Sequence, residues 1–368
     1  VLSPVVDSSL LVLLRDGAVA ADRAGALAPA AVDALDVAGL WRLQVPAVLG
    51  GCEASLLEQY DVVAALARAD GAAAWLVAFV GIGGAWPAAR LTDEGVADVA
   101  PDGVWPRIAG TFPITGRGER VDEGWRVTGR WGCASGITIA DWAACGFLTD
   151  AGPRWAVVPA AEVVVHDTWD ATGLRATASH DYSLDEVVVP ERRSFGVADP
   201  PRRGGAVYGL PILAFLTPHH TAVTLGSARR ALDALVATTQ GRQRLGSSVA
   251  VGDRGAFRCD LGRIDTMLRA AQTLVRDVLA RIDDAVATSS FGPDLLADAR
   301  TAATWAAEVA VDVATFAHRN GGRATLAAGS TVELAYRDVL TSSQHVHVTD
   351  EVYEAWAAAL LAGDGGAR

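Results

Sequence analysis

Apolar side chains recur at helical spacing over the first hundred residues, switch to alternation over the next hundred, and return to helical spacing thereafter. Ala28–Leu40 carries the helical pattern and predicts a helix ending near Gly39. Val45–Gly51 breaks the pattern with Pro46, Gly50 and Gly51. Leu56–Ala69 resumes it, with Leu56, Leu57, Tyr60, Val63, Ala64 and Leu66 on one broad stripe. Gly71–Ala89 is free of charge and about as long as a membrane span. Its four glycines and Pro87 predict a buried helix broken near Gly81–Gly84 instead.

The middle of the chain reads as strands. Arg120–Gly129 predicts a hairpin turning at Glu123–Gly124. Trp142–Thr149, Trp155–Val158 and Val163–His166 are short strand-like runs, and Asp181–Pro190 reads as strand, turn, strand. Pro200–Gly205 is a linker signal. Beyond it, Thr221–Thr239 places Val223, Leu225, Ala228, Leu232, Leu235 and Val236 on one side of a helix. Leu261–Ala285 and Asp294–Arg319 are long and amphipathic. The blocks 1–102, 103–200 and 201–368 therefore predict an α+β fold, a helical body with an inserted β layer whose crevice suits a flat ligand.

Composition narrows the partners. The 368 residues carry a formal charge of −12, and all 31 basic side chains are Arg. An acidic chain is a poor fit to a nucleic-acid backbone. The four cysteines, Cys52, Cys133, Cys145 and Cys259, show no CxxC spacing, so no metal site is expected and free thiols in a reducing, cytoplasmic setting are. No charged segment followed by an apolar run opens the chain, so neither a signal peptide nor a membrane partner is expected. There is no GxGxxG between a strand and a helix, hence no nicotinamide fingerprint.

Five segments in order resemble one family. They are Leu40–Gly51 (LWRLQVPAVLGG), Arg107–Thr115 with Val127–Trp142 (RIAGTFPIT, VTGRWGCASGITIADW), Thr172–Asp181 (TGLRATASHD), the helix opened by Gly226–Arg230, and Gly321–Gly322 with Tyr336–His345 (YRDVLTSSQH). Together they resemble the acyl-CoA dehydrogenase superfamily, and within it the flavin-dependent monooxygenases of two-component systems. The resemblance implies an N-terminal helical domain, a β domain of barrel or sandwich type and a C-terminal four-helix bundle, assembled as a homotetramer. It also implies reduced FAD or FMN as an exchangeable cofactor, O₂ as co-substrate, a separate flavin reductase, and a small-molecule substrate.

An isoalloxazine needs backbone N–H groups at its polar edge, a hydroxyl near N5 or O4, and an apolar wall. By resemblance, Ala109, Gly110 and Thr111 line the edge, and Trp131 and Ser135 supply wall and hydroxyl. The alternatives are a sheet-core tryptophan and a turn serine. Arg242, in the segment Arg242–Gly246, resembles the Arg that reaches a flavin phosphate, and Gly321–Gly322 would admit the cofactor. Their alternatives are a solvated helix-end cluster with Arg244 and a plain helix cap.

The dehydrogenase base is missing. In the family pattern its Glu stands eight residues after the Asp of the "RD" pair, which is Val346 here, or near Leu216, which is not acidic either. His345 occupies the neighbouring place. With an ordinary pKa near 6.5 it would titrate in the working range and accept a substrate proton or hydrogen-bond the oxygen being delivered. A capping histidine is the alternative. His347 is expected to point elsewhere on a helix. His219 and His220 are expected at the start of a helix, either facing a substrate pocket or exposed. Ser179–His180–Asp181 is no hydrolase triad, since adjacent residues cannot form the nucleophile–base line. The scarcity of charge around these positions favours a neutral aromatic or polycyclic substrate. Two other classes stay open: a flavin dehydrogenase or oxidase with a nonstandard base, and a redox-inactive homologue serving as cyclase or binding scaffold.

Overall fold

The structure, a computed structural model, describes residues 4–239, 241–243 and 246–361. Among them are ten α-helices and seven strands. Two compact units emerge. Unit 1 takes in the chain up to Ser55, Trp75–Ala171 and Arg175–Gly209; unit 2 takes in Leu56–Ala74, Thr172–Leu174 and the chain from Leu210 onward. Compactness thus groups the early helices differently from the contiguous blocks 1–102, 103–200 and 201–368, because Leu56–Ala67 packs on the C-terminal helices.

Unit 1 begins with α1 (Ser8–Ala24) and α2 (Pro29–Val37). The Asp7 carboxylate caps α1 by accepting from Leu10 N at 2.9 Å, and Gly25 ends it in the left-handed conformation. In unit 2, α3 (Leu56–Ala67) buries Leu56, Tyr60, Val63 and Leu66 of the predicted stripe, with Leu57 and Ala64 half-buried. The next helix, α4 (Gly71–Arg90), supplies its first turn to unit 2 and the remainder to unit 1. It does not break at Gly81–Gly84. Its glycines instead let neighbours approach: a Cβ on Gly81 would lie 2.6 Å from Gln44 Nε2, and one on Gly83 2.3 Å from Ile108 O. Trp105 Nε1 donates to Gly84 O at 3.1 Å. The apolar stretch of α4 is 94% buried inside the protein, so it is a core helix. A short α5 (Asp93–Val99), capped by Thr92, follows.

The strands of unit 1 are β1 (Ile108–Val121), β2 (Gly124–Ala134), β3 (Trp142–Thr149), β4 (Gly152–Pro159), β5 (Val164–His166), β6 (His180–Pro190) and β7 (Ser194–Gly196). They form one sheet of order β5-β6-β2-β1-β3-β4-β7, with β1 and β3 parallel and the other pairs antiparallel. The hairpin turns at Asp122–Glu123, with Val121 opposite Gly124, one residue earlier than the sequence suggests. Asp181–Pro190 lies within one strand. Its turn signal is a bulge at Glu186, whose φ is +52° and whose N–H donates to Thr128 Oγ1. The β domain is one mixed sheet, and that sheet curls. Tyr182 on β6 donates its hydroxyl to Ala144 O on β3 at 2.6 Å, across two intervening strands. Trp131, Phe147, Tyr182, Val127, Cys145 and Val158 fill the interior of the curl. Pro200–Gly205 is not a loose linker, for Arg202 N and Arg203 N both donate to Ala89 O.

Unit 2 is a helical bundle of α6 (Ile212–Thr239), α7 (Gly255–Ala287), α8 (Pro293–Asn320) and α9 (Thr331–Ser342), joined by α3 and by α10 (Glu351–Leu361). On α7, Ile264, Leu268, Ala271, Val275, Leu279 and Ile282 make the inward stripe at three- and four-residue steps. α8 meets its neighbours through alanines at 299, 302, 303, 306, 310, 314 and 317, which permit close packing. Asp338 on α9 is buried and accepts from Leu174 N at 2.7 Å, holding the segment Thr172–Leu174. Burial raises its carboxyl pKa to about 7.

Candidate active site

In unit 1 the predicted flavin-contact residues lie on β1 and at the end of β2. Ala109 is fully buried in the β1–β3 ladder opposite Ala143. That ladder is interrupted between Gly110 and Ile114, which takes Thr111 out of register with β3 and leaves it partly exposed. A Cβ on Gly110 would lie 2.5 Å from Ala144 O, so only glycine permits this approach.

Ser135 is placed by a bulge. The β2–β6 register shifts between Trp131 and Ala134, and Cys133 sits there at a φ of +59°. Gly136, at +76°, turns the chain again, and its N–H donates to Thr177 O. Ser135 is thereby delivered to a buried hydroxyl cluster. Trp75 Nε1 donates to Ser135 Oγ at 2.9 Å; Ser135 Oγ and Ser179 Oγ are 2.8 Å apart; Thr177 Oγ1 and Ser179 Oγ are 2.7 Å apart. The Trp75 ring stacks on Phe79 at 4.2 Å.

Trp131 is different. It is 1% exposed, its ring stacks on Tyr182 at 5.1 Å, and its N–H donates to Gly146 O at 2.8 Å. It can back a ligand wall but presents no face of its own, because the curl of the sheet encloses it. His180 organises the Thr168 turn, its Nδ1 accepting from Thr168 N and Trp169 N at 3.1 Å.

In unit 2, Arg242, Gly321 and Gly322 come together. The Arg242 guanidinium donates to Asn320 O, the last carbonyl of α8, and to the O of its cap Gly321, where a cation complements the helix dipole. Gly322, at a φ of +63°, follows as the left-handed residue. The two glycines thus end the helix as a cap, and Arg242 joins them there instead of standing in a solvated cluster. Arg244 lies outside the described residues.

The histidines gather where the sequence gives the weakest signal. α6 begins at Ile212, so His219 and His220 lie well inside it and are wholly buried, not exposed at its start. α9 ends at Ser342, so His347 sits on a turn, not a helix, and it too is buried. His220 stacks on His345 at 5.3 Å and meets His347 edge-on at 5.8 Å; Phe215 lies 5.8 Å from His219. Among the described residues these side chains do not converge as a metal ligand set.

The hydrogen bonds fix most tautomers. A carbonyl only accepts, so His220 donates Nε2–H to Ser342 O at 2.9 Å. Thr217 gives its hydroxyl proton to Leu213 O, so it accepts from His347 Nε2–H at 3.4 Å, which leaves a lone pair on His347 Nδ1 without a partner. His345 Nδ1 accepts from His347 N at 3.2 Å, which leaves its proton on Nε2. Neither ring nitrogen of His219 closes a hydrogen bond, although the carbonyls of Phe215 and Leu216 lie one turn back.

Burial pushes the pKa of His219 down to about 3 and that of His220 to about 4. Burial and the facing His220 push His345 to about 3, and burial with the neighbouring rings and Arg300 lowers His347 strongly. The expectation that His345 titrates near 6.5 is therefore corrected: all four rings stay neutral at physiological pH. Unfolding frees them to protonate below 6.5. Stability from this source is complete above about pH 6.5 and declines as pH falls toward 4, each ring adding about 1.4 kcal/mol per pH unit. Asp338 works the other way, withdrawing stability as pH rises from about 4 to 7. Urea unfolding midpoints are expected to fall from pH 7 to pH 5. A flat midpoint over that range would show that the rings are not held neutral.

Comparisons with known proteins agree in kind. Residues 219–350 match the family described as acyl-CoA dehydrogenase, C-terminal domain. The chain is 31% identical over 332 residues to the indole-3-acetate monooxygenase of Pseudomonas putida, covering 88% of this chain and 84% of that one. It is 26% identical over 259 residues to the FADH2-dependent resorcinol hydroxylase, oxygenase component, of a Rhizobium species, covering 66% and 63%. The fold matches XiaF from a Streptomyces species, solved in complex with FADH2 and glycerol, with a TM-score of 0.87 at 23% identity over 96% of this chain and 93% of that one.

Proposed function

The chain belongs to the flavin-dependent monooxygenase branch of the acyl-CoA dehydrogenase superfamily, and we propose that it is an oxygenase component that hydroxylates a small aromatic or polycyclic compound with reduced flavin and O₂. One observation carries this over dehydrogenation. The two positions where the family pattern holds its proton-abstracting carboxylate are Val346, 76% exposed, and Leu216, buried and apolar. Neither can take a proton.

The chain's donor set fits a flavin. The Ser135 hydroxyl, already held by the Trp75 N–H, can give or take one more hydrogen bond. The ladder break at Thr111 leaves β1 backbone out of register with β3 there. Ala109, Gly110, Thr111 and Ser135 would hold the ring, with Trp131 behind them, and the cap formed by Arg242, Gly321 and Gly322 is the candidate phosphate-side element. When bound, reduced flavin supplies two electrons and, with O₂, the oxygen atom that is transferred; the second oxygen atom leaves as water.

The histidine cluster handles protons and orientation. His345 donates from Nε2 to an oxygen or nitrogen acceptor of the reacting partners. His219, and His347 with a lone pair on Nδ1, take substrate polar groups. His220 stacks behind His345 and fixes its plane. A separate reductase supplies FMN or FAD in reduced, exchangeable form. The four free thiols suit a reducing cytoplasm, and the assembly proposed is a homotetramer.

The test is O₂ uptake with FMN or FAD, a generic flavin reductase and NADH against phenols, indoles and amines. A product gaining one oxygen atom is expected. A tightly held yellow flavin bleached by substrate without O₂ would point to dehydrogenation instead.

A further inference from the structure

Ser135, Ser179 and Thr177 form a file of three buried hydroxyls, with oxygens 2.8 and 2.7 Å apart. Their exposures are 8%, 3% and 0%. At one end stands Trp75, whose indole N–H can only donate, so it permanently fills one lone pair of Ser135 Oγ. Ser135 then has one proton and one lone pair left. Ser179 takes one of them, and the other is left for a ligand. Seen from Ser135, the file therefore has two arrangements. In one, Ser135 donates to Ser179, which donates on to Thr177, and Ser135 accepts from the ligand. In the other, Thr177 donates to Ser179, which donates to Ser135, and Ser135 donates to the ligand. Passing between them needs only rotation of hydroxyl protons.

The backbone is strained to build this file. Cys133 and Ala178, neither of them glycine, hold φ values of +59° and +44° two residues before Ser135 and between Thr177 and Ser179. Such conformations cost energy and persist only when the surroundings hold them.

We propose that Thr177, Ser179 and Trp75 are positioning residues that let Ser135 reverse its hydrogen bond to match either redox state of a flavin. The inference rests on the flavin reading given above. A reduced isoalloxazine bears a hydrogen on N5 and needs an acceptor; the oxidised ring bears a lone pair there and needs a donor. A lone serine meets both states. The file satisfies Ser135 and Ser179 in both states in a dry setting, where a stranded hydroxyl proton is costly.

Removing Ser179 strands the Ser135 proton only when Ser135 accepts from the ligand, which is the reduced state. In the oxidised state it leaves only an unused lone pair. Anaerobic titration of the protein with oxidised and reduced FMN and FAD reads the difference directly. Ser179→Ala and Thr177→Val are each expected to weaken reduced flavin about tenfold and oxidised flavin less than threefold. That ratio, about three- to tenfold, lowers the midpoint potential of the bound two-electron couple by about 15–30 mV. Thr177→Ser, which restores the hydroxyl, should return both affinities to within twofold of the unmodified protein. Equal weakening of both forms, or an unchanged ratio in Ser179→Ala, would overturn the inference while leaving the oxygenase reading standing. Failure of the unmodified protein to bind either form would remove both.

Discussion

Replacing His345 with alanine is expected to cut hydroxylated product about 10²- to 10³-fold, the usual loss on removing one well-placed donor, while reductase-driven O₂ consumption continues as peroxide. The geometry behind this is specific. The Nδ1 of His345 accepts a backbone N–H, so the side chain offers a proton from Nε2 and cannot readily collect one there. Burial and the stacked His220 hold its pKa near 3, so the ring does not change charge anywhere near neutrality. Two consequences separate a donor from a base. His345→Gln, which can donate from a similar place but cannot take up a proton, should retain at least a tenth of the product yield. The yield of the unmodified protein should show no acid limb from His345 between pH 5 and 8. A glutamine variant as inactive as the alanine variant, with a limb near pH 6.5, would return His345 to the role of general base. Fold should not confound the result, because His345 is partly exposed and lies on a turn after α9.

The sequence carried the helical and strand blocks because their apolar periods are long and consistent. The runs Leu56–Ala69 and Trp142–Thr149 came out almost unchanged as α3, which ends at Ala67, and β3. What it concealed was tertiary in origin. The glycines of α4 look like a helix break until Gln44, Ile108 and Trp105 are seen against them. The turn signal in Asp181–Pro190 is a single left-handed residue within a continuous strand. At the site, His219 and His220 looked terminal because the helical pattern in the sequence spans Thr221–Thr239, yet α6 begins at Ile212 and carries Pro218 inside it. His347 was discounted on helical spacing, and it is the end of α9 at Ser342 that turns it inward. Trp75 had no local signal at all. Only the bulge at Cys133 brings Ser135, sixty positions along the chain, to its indole. A useful cue was available nonetheless: four of the seven histidines stand in two close pairs, His219–His220 and His345–His347, in a chain with few other titratable groups nearby in sequence.

Trp131→Ala is expected to cost about 3–5 kcal/mol of stability, read as a lower urea midpoint, and to act on the fold before it acts on flavin. The ring sits in a slot that two glycines keep open. A Cβ on Gly116 would lie 2.4 Å from Trp131 Cζ2, and one on Gly129 2.8 Å from Cη2. Both glycines belong to paired strands, Gly116 opposite Phe147 and Gly129 opposite Leu184, so the walls cannot collapse into the vacated space. The stack on Tyr182 is lost at the same time, and Gly146 O loses its buried donor. Trp131→Phe keeps an aromatic ring against Tyr182 and should fall between the two. If the tryptophan instead formed an open wall for the ring, the alanine variant would unfold close to the unmodified protein and show its loss in flavin affinity. The 1% exposure of Trp131 argues for the first outcome. Because Trp131 and Ser135 flank the same bulge, loss of the ring should also loosen the Trp75–Ser135 hydrogen bond. Flavin affinity would then fall as a consequence of the altered strand, with the reduced form affected more, and Trp131→Phe should recover most of it.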